Sequence, residues 1–223
     1  MKAYKGEGKT AEEIPADMKA DADAARAELV EAAAEGDDSL LEKYLEAGEL
    51  TDEEVIKGLA EVVKTCNFMP VLACAGSVGT GVLKLLDAII QLMPSPLAAG
   101  PITAKGKAGE EKLEVRDDGP LAVYVWKTTA DPFVGKQTYL RVYSGTVSAD
   151  SRLWNQTKGV EERVGTLGFP RGKEAISTKI AHAGDICIVP KLSETQTSNT
   201  ICDKAHPLTL PIPEYPGALY QVA

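Results

Sequence analysis

The sequence predicts a multi-domain α and β protein whose first half is helical and whose second half is a small antiparallel β-barrel. This prediction rests on a change of hydrophobic period, a proline-rich boundary and an uneven charge distribution. Residues 1–97 hold 19 acidic and 9 basic residues, whereas residues 98–223 hold 14 acidic and 15 basic residues. We expect any contact with RNA to come from the second half, because an acidic surface repels phosphate.

The composition favours a globular protein in a reducing compartment. The 223 residues carry a net charge of −9 and 44% apolar side chains. We expect a cytoplasmic location without membrane contact, since no apolar run has the length of a membrane span and the start lacks a signal-peptide stretch. The four cysteines have spacings typical of neither a zinc site nor a redox dithiol, so we predict reduced, mostly buried thiols.

The first half shows helical periods. A capping box formed by Thr51 and Glu54 precedes the apolar positions Val55, Leu59 and Val62. The run "MPVLAC" at 69–74 predicts a short buried strand, and "GVLKLLDAIIQLM" at 81–93 predicts a helix that ends before Pro94. An earlier helix is indicated by apolar residues at steps of three and four: Met18, Ala22, Ala25, Leu29 and Ala32.

The second half begins after a predicted linker at 98–118, which is rich in proline, glycine and charge. Beyond it, short segments with a period of two predict strands of a barrel over 119–204. The stretch "DPFVGKQTYLRVYSGTVSADSRLW", residues 131–154, predicts a hairpin in which Leu140 and Val142 enter the core. Arg141 would then point outward between Tyr139 and Tyr143.

Three motifs suggest chemistry without supplying its structural context. "AYKGEGKT" at 3–10 is similar to a phosphate-binding loop, but it lacks the preceding strand and following helix that such a loop needs. "GSVGTG" at 76–81 is more typical of a tight turn than of a dinucleotide fingerprint. His182 and His206 lie near turns without a paired nucleophile, so we predict structural roles for both.

The opening of the hairpin, the segment "RVYSG" and the later "AGDICIVPKLSETQTSNTICD" resemble the second domain of bacterial elongation factor G. The resemblance continues into "PIPEYPGALYQVA", and it extends backward to residues 1–97, which resemble the helical insert and the last strand and helix of this family's GTPase domain. It implies the C-terminal part of a P-loop GTPase domain at 1–97, domain II at 119–204, and the passage toward a third domain at 205–223.

The resemblance also implies what the chain lacks. We find no credible phosphate loop, switch segment or asparagine-lysine-x-aspartate motif, so we expect an internal fragment that is inactive alone and binds no cofactor. GTP and Mg²⁺ would belong to the parent GTPase. Ala75, Gly76 and Ser77 correspond to the edge of the guanine-base site, although the family's serine and lysine are not kept there. The segment "GFPRGKEAISTKIAHAGD" is closer to the elongation-factor-G-like paralogues.

The implied function is that of a ribosome-dependent GTPase that promotes GTP-driven translocation, with the barrel docking on small-subunit ribosomal RNA. Two alternatives remain open: a noncatalytic module that binds protein through Tyr124, Trp126, Tyr139 and Tyr143, or a paralogue with a regulatory or recycling role. We expect no DNA binding, and self-association is one way for the first half to cover its apolar surface. The candidate contacts to RNA are Lys136, Arg141, Lys158, Arg163, Arg171 and Lys173.

Overall fold

The computed structural model describes residues 1–5, 10–132, 135–172, 174–214 and 216–217. It divides into two compact units, Met1–Ser95 and Pro96–Ala223. We call the first the helical unit and the second the β unit.

In the described part of the helical unit there are two short paired strands, one 3-10 turn and four α-helices. Asp37 caps the second helix by accepting from the Ser39 backbone N–H at 2.9 Å. The predicted capping box at the third helix is confirmed, since Thr51 and Glu54 each accept from the other's backbone N–H. The elements are β1 (Ala3–Lys5), β2 (Thr10–Glu12), the 3-10 turn (Ala16–Met18), α1 (Lys19–Ala34), α2 (Asp38–Ala47), α3 (Asp52–Lys64) and α4 (Val82–Leu92).

The core of the helical unit lies between α1 and α3. Val55, Leu59 and Val62 are buried, as the sequence predicted. The predicted helix forms as α1, and Leu29 of its predicted stripe packs against the core. The buried face is nevertheless rotated from the predicted one, because Val30, Ala33 and Ala34 are buried and Ala25 is exposed. The cause is a close backbone approach between the helices: a Cβ at Gly58 would lie 2.0 Å from the Ala33 carbonyl oxygen. Helices this close need a small residue on each side, so α1 turns the side that carries Ala33 toward α3.

The apolar segment 69–74 does not form the predicted buried strand. It has no strand assignment, and Met69 and Val71 are 84% and 94% exposed. A strand needs a neighbour to accept and donate its backbone hydrogen bonds. Among the described residues of this unit, the β-bridge nearest to this segment is an isolated one, which joins Ala75 and Thr80. The following helix α4 does form where it was predicted.

The β unit is built on an antiparallel sheet of eight strands. Its elements are β3 (Ile102–Gly106), β4 (Gly109–Leu113), β5 (Ala122–Asp131), β6 (Gly135–Ser144), β7 (Val147–Ser148), β8 (Arg152–Asn155), β9 (Val160–Arg163), β10 (Leu167–Arg171), β11 (Glu174–Thr178), β12 (Ile180–Ala181), β13 (Ile186–Pro190), β14 (Thr200–Cys202) and β15 (Leu208–Thr209).

The order of the large sheet is β11-β10-β13-β6-β5-β14-β8-β9, and β7 pairs separately with β12. The antiparallel strands predicted from the period of two are confirmed, while closure of the sheet into a barrel stays a prediction. One face carries the main core, in which Val123, Val125, Leu140 and Val142 are fully buried. The hairpin β5–β6 therefore supplies the centre of this unit.

The segment predicted as a linker, 98–118, contains the paired strands β3 and β4. Together with β15 they form a three-stranded sheet. Ala104 and Leu113 from this small sheet pack in a second core with Tyr124 and Cys202 of the large sheet. The sequence suggested a linker because Gly106, Gly109 and Glu111 stand at strand positions on the inner face, where the other strands carry apolar residues. The period of two is therefore missing here.

Across the part of the chain that the structure describes, no helix has the length and apolar character to cross a membrane.

Candidate functional site

The hairpin β5–β6 has the two faces that the sequence predicted. Leu140 and Val142 are fully buried, and Gly135 adopts a φ of 84° at the turn, where a side chain would be strained. Arg141 and Tyr143 alternate with the buried residues and are half-buried. The Arg141 guanidinium carbon lies 5.0 Å from the centre of the Tyr143 ring. Phe133 and Val134, in the predicted turn, lie outside the described residues.

The outer face of the hairpin is partly covered by the small sheet. Tyr124, which lies opposite Arg141 in the strand register, is only 7% exposed and belongs to the second core. Tyr143 packs against the same cluster. The predicted aromatic surface of four residues is therefore wrong for Tyr124, because the strands at 102–113 occupy that part of the face. Trp126 and Tyr139 lie beyond it.

Trp126, Lys127 and Tyr139 form an aromatic and basic cluster, in which Trp126 and Lys127 are exposed and Tyr139 is half-buried. The register of β5 shifts between Val125 and Lys127, so Trp126 is an extra residue in that strand. Trp126 is 41% exposed and meets Tyr139 edge to face, with ring centres 5.5 Å apart. The Lys127 ammonium lies 5.5 Å from the Tyr139 ring centre, a cation–π distance. We call these three residues the outer aromatic cluster.

The basic residues predicted to contact RNA differ in how strongly their side chains are held by other groups of the protein. Lys136 donates from Nζ to the Ser193 carbonyl at 3.0 Å, which fastens it to the neighbouring loop. Arg141 is half-buried, and its Nε is buried without a hydrogen-bond partner in the described structure. Neither side chain presents its full charge to solvent. These two candidates contribute to the packing of the unit as well as to its charge.

Lys158, Arg163 and Arg171 are exposed at turns or strand ends. Arg163 lies 3.4 Å from the Asp150 carboxylate, and Arg171 lies 3.7 Å from that of Glu174. Such exposed ion pairs contribute little to stability, so the arginine can exchange its carboxylate partner for another anion. Lys173 lies outside the described residues. The role of all six basic residues in RNA contact stays a prediction.

Residues 75–77 form part of a tight turn. The Ala75 N–H donates to the Thr80 carbonyl at 2.8 Å, and Gly79 and Gly81 have positive φ angles. At the other end of this unit, β1 and β2 pair as an antiparallel hairpin, so Thr10 begins a strand where a phosphate loop would require a helix. Residues 6–9 lie outside the described residues. The assignment of Ala75, Gly76 and Ser77 to a base site stays a prediction.

Both histidines join parts of the β unit, a role the sequence could not specify. His182 Nδ1 lies 2.7 Å from Asp117 Oδ2, and the Ala183 N–H donates to the same carboxylate at 2.9 Å. The Ala183 N–H and then His182 hold the pKa of Asp117 below its ordinary value. His206 Nε2 lies 2.9 Å from Glu111 Oε2. The two pairs therefore fasten β4 and its following turn to the loops at 182 and 206.

The cysteines are all free, as predicted, but only half of them are buried. Cys187 and Cys202 are buried, and burial raises the pKa of both thiols, that of Cys187 to about 12. Cys66 and Cys74 are exposed, so the prediction of mostly buried thiols is wrong for the helical unit. Cys66 follows α3 and Cys74 ends the exposed segment 69–74, outside the buried faces. Among the described residues, no three potential metal ligands come together.

Comparison with known proteins identifies the class of the β unit. Residues 120–204 match the family model of elongation factor G domain 2. The chain also aligns with the crystal structure of ttk003000868 from Thermus thermophilus, with a TM-score of 0.68 and 29% identity. That alignment covers 96% of this chain and 29% of the Thermus protein, so the chain spans less than a third of its relative.

Residues 120–204 of the β unit thus have the sequence character of the second domain of elongation factor G. This family match agrees with the resemblance in the sequence, and the Thermus structure shows a similar fold at 29% identity. The closer similarity to the G-like paralogues stays a prediction.

Proposed function

We propose that the chain is part of a ribosome-dependent translational GTPase of the elongation factor G type, and that its β unit docks on small-subunit ribosomal RNA. The observation that supports this proposal is the match of residues 120–204 to elongation factor G domain 2. In the parent protein, GTP and Mg²⁺ would bind to a complete GTPase domain. The parent would use GTP hydrolysis to drive translocation in the cytoplasm, or would act in regulation or recycling as a G-like paralogue.

The charge of the β unit is compatible with a limited contact to phosphate. Residues 119–204 hold 11 basic and 8 acidic residues, whereas the whole chain has a net charge of −9. A small positive excess suits a domain that touches the RNA backbone at a few points. Lys158 and Arg171 are the best candidates for these points, because both side chains are exposed and Arg171 lies farther from its acidic partner than Arg163 does, at 3.7 Å against 3.4 Å.

Sedimentation of the chain with purified small ribosomal subunits tests the proposal. The informative variant combines Lys158→Glu with Arg171→Glu, and it leaves Lys136 intact because the Lys136–Ser193 hydrogen bond supports the fold. A control with the same change of net charge combines Lys64→Glu with Lys84→Glu on the exposed surface of the helical unit. We expect the first variant to lose binding and the control to lose much less.

Equal binding by the folded Lys158/Arg171 variant and the wild type would move the docking surface elsewhere. Absence of wild-type binding even at low salt would instead favour the protein-binding alternative. In that case the exposed pair Trp126 and Tyr139 becomes the leading contact surface.

A further inference from the structure

The outer aromatic cluster results from an irregularity in β5 that regular strand alternation would not produce. Val125 lies opposite Leu140 and Lys127 lies opposite Tyr139, so Trp126 is inserted between two paired positions. An inserted residue of this kind redirects side chains, and such bulges are frequent beside functional sites. Here the insertion brings Trp126 and Lys127 to the same tyrosine ring.

The cluster leaves an aromatic face open. The Trp126 and Tyr139 planes meet at 65°, which is an edge-to-face contact. If Trp126 supplies the edge, both of its faces remain free of Tyr139; if it supplies a face, the other face remains free. In either arrangement Tyr139 leaves at least one face of the indole uncovered, and the 41% exposure of Trp126 shows that part of this large side chain is accessible to solvent.

A polar groove adjoins the cluster at Tyr139. It has a volume of about 500 Å³. Its lining includes the polar residues Thr129, Asp131, Gln137 and Glu174 and the apolar residues Ala130, Ala175 and Ile188. The hydroxyl and amide groups can donate and accept hydrogen bonds. Glu174 lies 3.7 Å from Arg171, so its charge is partly compensated. The groove therefore offers hydrogen-bonding groups next to an open aromatic ring and a lysine.

We propose that the outer aromatic cluster is a stacking platform for an unpaired RNA nucleotide. The base stacks on the open face of Trp126, its edge lies toward the polar groove, and Lys127 attracts the adjoining phosphate. This inference rests on the proposed function, and it adds a base-stacking contact to the phosphate contacts suggested above. Exposed bases in single-stranded RNA are commonly held on aromatic side chains beside basic groups.

The chemical groups of this surface favour RNA over a protein partner. The adjoining groove carries hydroxyl and amide groups that can pair with the edge of a base, and its carboxylates can accept a hydrogen bond from a base amino group. The Lys127 ammonium lies over the Tyr139 ring, and residues 119–204 carry a basic excess within an acidic chain. A nucleotide supplies the anion and the flat ring that this combination complements.

The test uses short single-stranded oligouridine and oligoadenosine as probes. The chain has two tryptophans, Trp126 and Trp154, so a Trp154→Phe background makes fluorescence report on Trp126 alone. Stacking should quench this fluorescence in a saturable way. Trp126→Leu, made in the otherwise wild-type chain, should weaken oligonucleotide binding roughly tenfold, whereas Trp126→Phe should keep most of it because phenylalanine retains an aromatic face.

The same variants are then compared in sedimentation with small ribosomal subunits. Reduced binding by Trp126→Leu in both assays, with rescue by Trp126→Phe, supports the platform. Equal oligonucleotide binding by Trp126→Leu and the wild type overturns it. If Trp126→Leu weakens only the binding to subunits, the cluster contacts a protein and the RNA assignment is wrong. If wild-type protein binds oligonucleotides but no subunits, the proposed ribosomal function fails while the stacking site stands.

Discussion

Truncation of Leu140 should strongly destabilise the β unit. Leu140 is fully buried, and its register partners on the two flanking strands, Val125 and Cys187, are also fully buried. Because hydrogen-bonded strands hold the backbone on both sides, the site has little freedom to collapse into the space left by Leu140→Ala. We therefore expect a loss of about 3 to 5 kcal/mol, the upper part of the range for buried leucines.

The assay is urea and thermal unfolding followed by tryptophan fluorescence, since Trp126 and Trp154 both lie in the β unit. A loss of this size should lower Tm by about 10 to 20 °C for a unit of this length. Ile176→Ala is the control, because Ile176 is 44% exposed on β11 and should change the stability by about 0.5 kcal/mol or less. A loss below about 1 kcal/mol for Leu140→Ala would refute the assignment of the hairpin as the centre of the core.

Three further predictions follow from local contacts. The stability of the β unit should fall as the pH decreases through the ordinary aspartate pKa of about 4 and below, because the Ala183 N–H and His182 lower the folded pKa of Asp117 and its stabilising contribution is lost as the carboxylate is protonated. Asp117→Asn should weaken this dependence in urea midpoints, and an unchanged dependence would contradict a stabilising role for the Asp117 contacts with Ala183 and His182. Thr51→Ala should destabilise α3 by about 1 kcal/mol, because the capping box is lost. Unfolding followed by far-ultraviolet circular dichroism measures the loss, with Glu53→Gln as the control variant. Equal stability of the two variants would count against the cap. Isothermal titration of the chain with GTP or GDP should detect no tight binding, whereas a submicromolar Kd would show that the residues we regard as a remnant form a working site.

The strand and helix types were predictable where a local pattern decides the structure. The alternation around Leu140 and Val142 identified a half-buried strand, and the Thr51–Glu54 pair identified a helix start. In both places the deciding interactions lie within a few residues or within one hairpin. Local sequence therefore carried enough information.

The errors arose where long-range packing decides the structure. The apolar run at 69–74 has the composition of a buried strand, but the described structure provides it with no neighbouring strand. Residues 102–113 have a polar composition, yet they pair and cover Tyr124. The rotation of α1 depends on the absence of a side chain at Gly58, which lies in another helix. None of these partners can be identified from the segment itself.

The candidate site was only partly predictable for the same reason. The alternation around Arg141 correctly indicated an outer face, but the sequence could not reveal that Lys136 is fastened to Ser193 or that a bulge places Trp126 beside Tyr139. A bulge depends on the register between two strands. The histidine–carboxylate pairs also join residues more than sixty positions apart. In each case a tertiary contact determines where the side chain lies.

The salt dependence of association with purified small ribosomal subunits tests the central claim most directly. If the β unit docks through phosphate contacts, the binding constant should decrease steadily with rising salt, and the logarithmic slope should be smaller for the Lys158→Glu, Arg171→Glu variant. Binding that does not depend on salt, or no binding at low salt by the folded wild-type chain, would contradict the account.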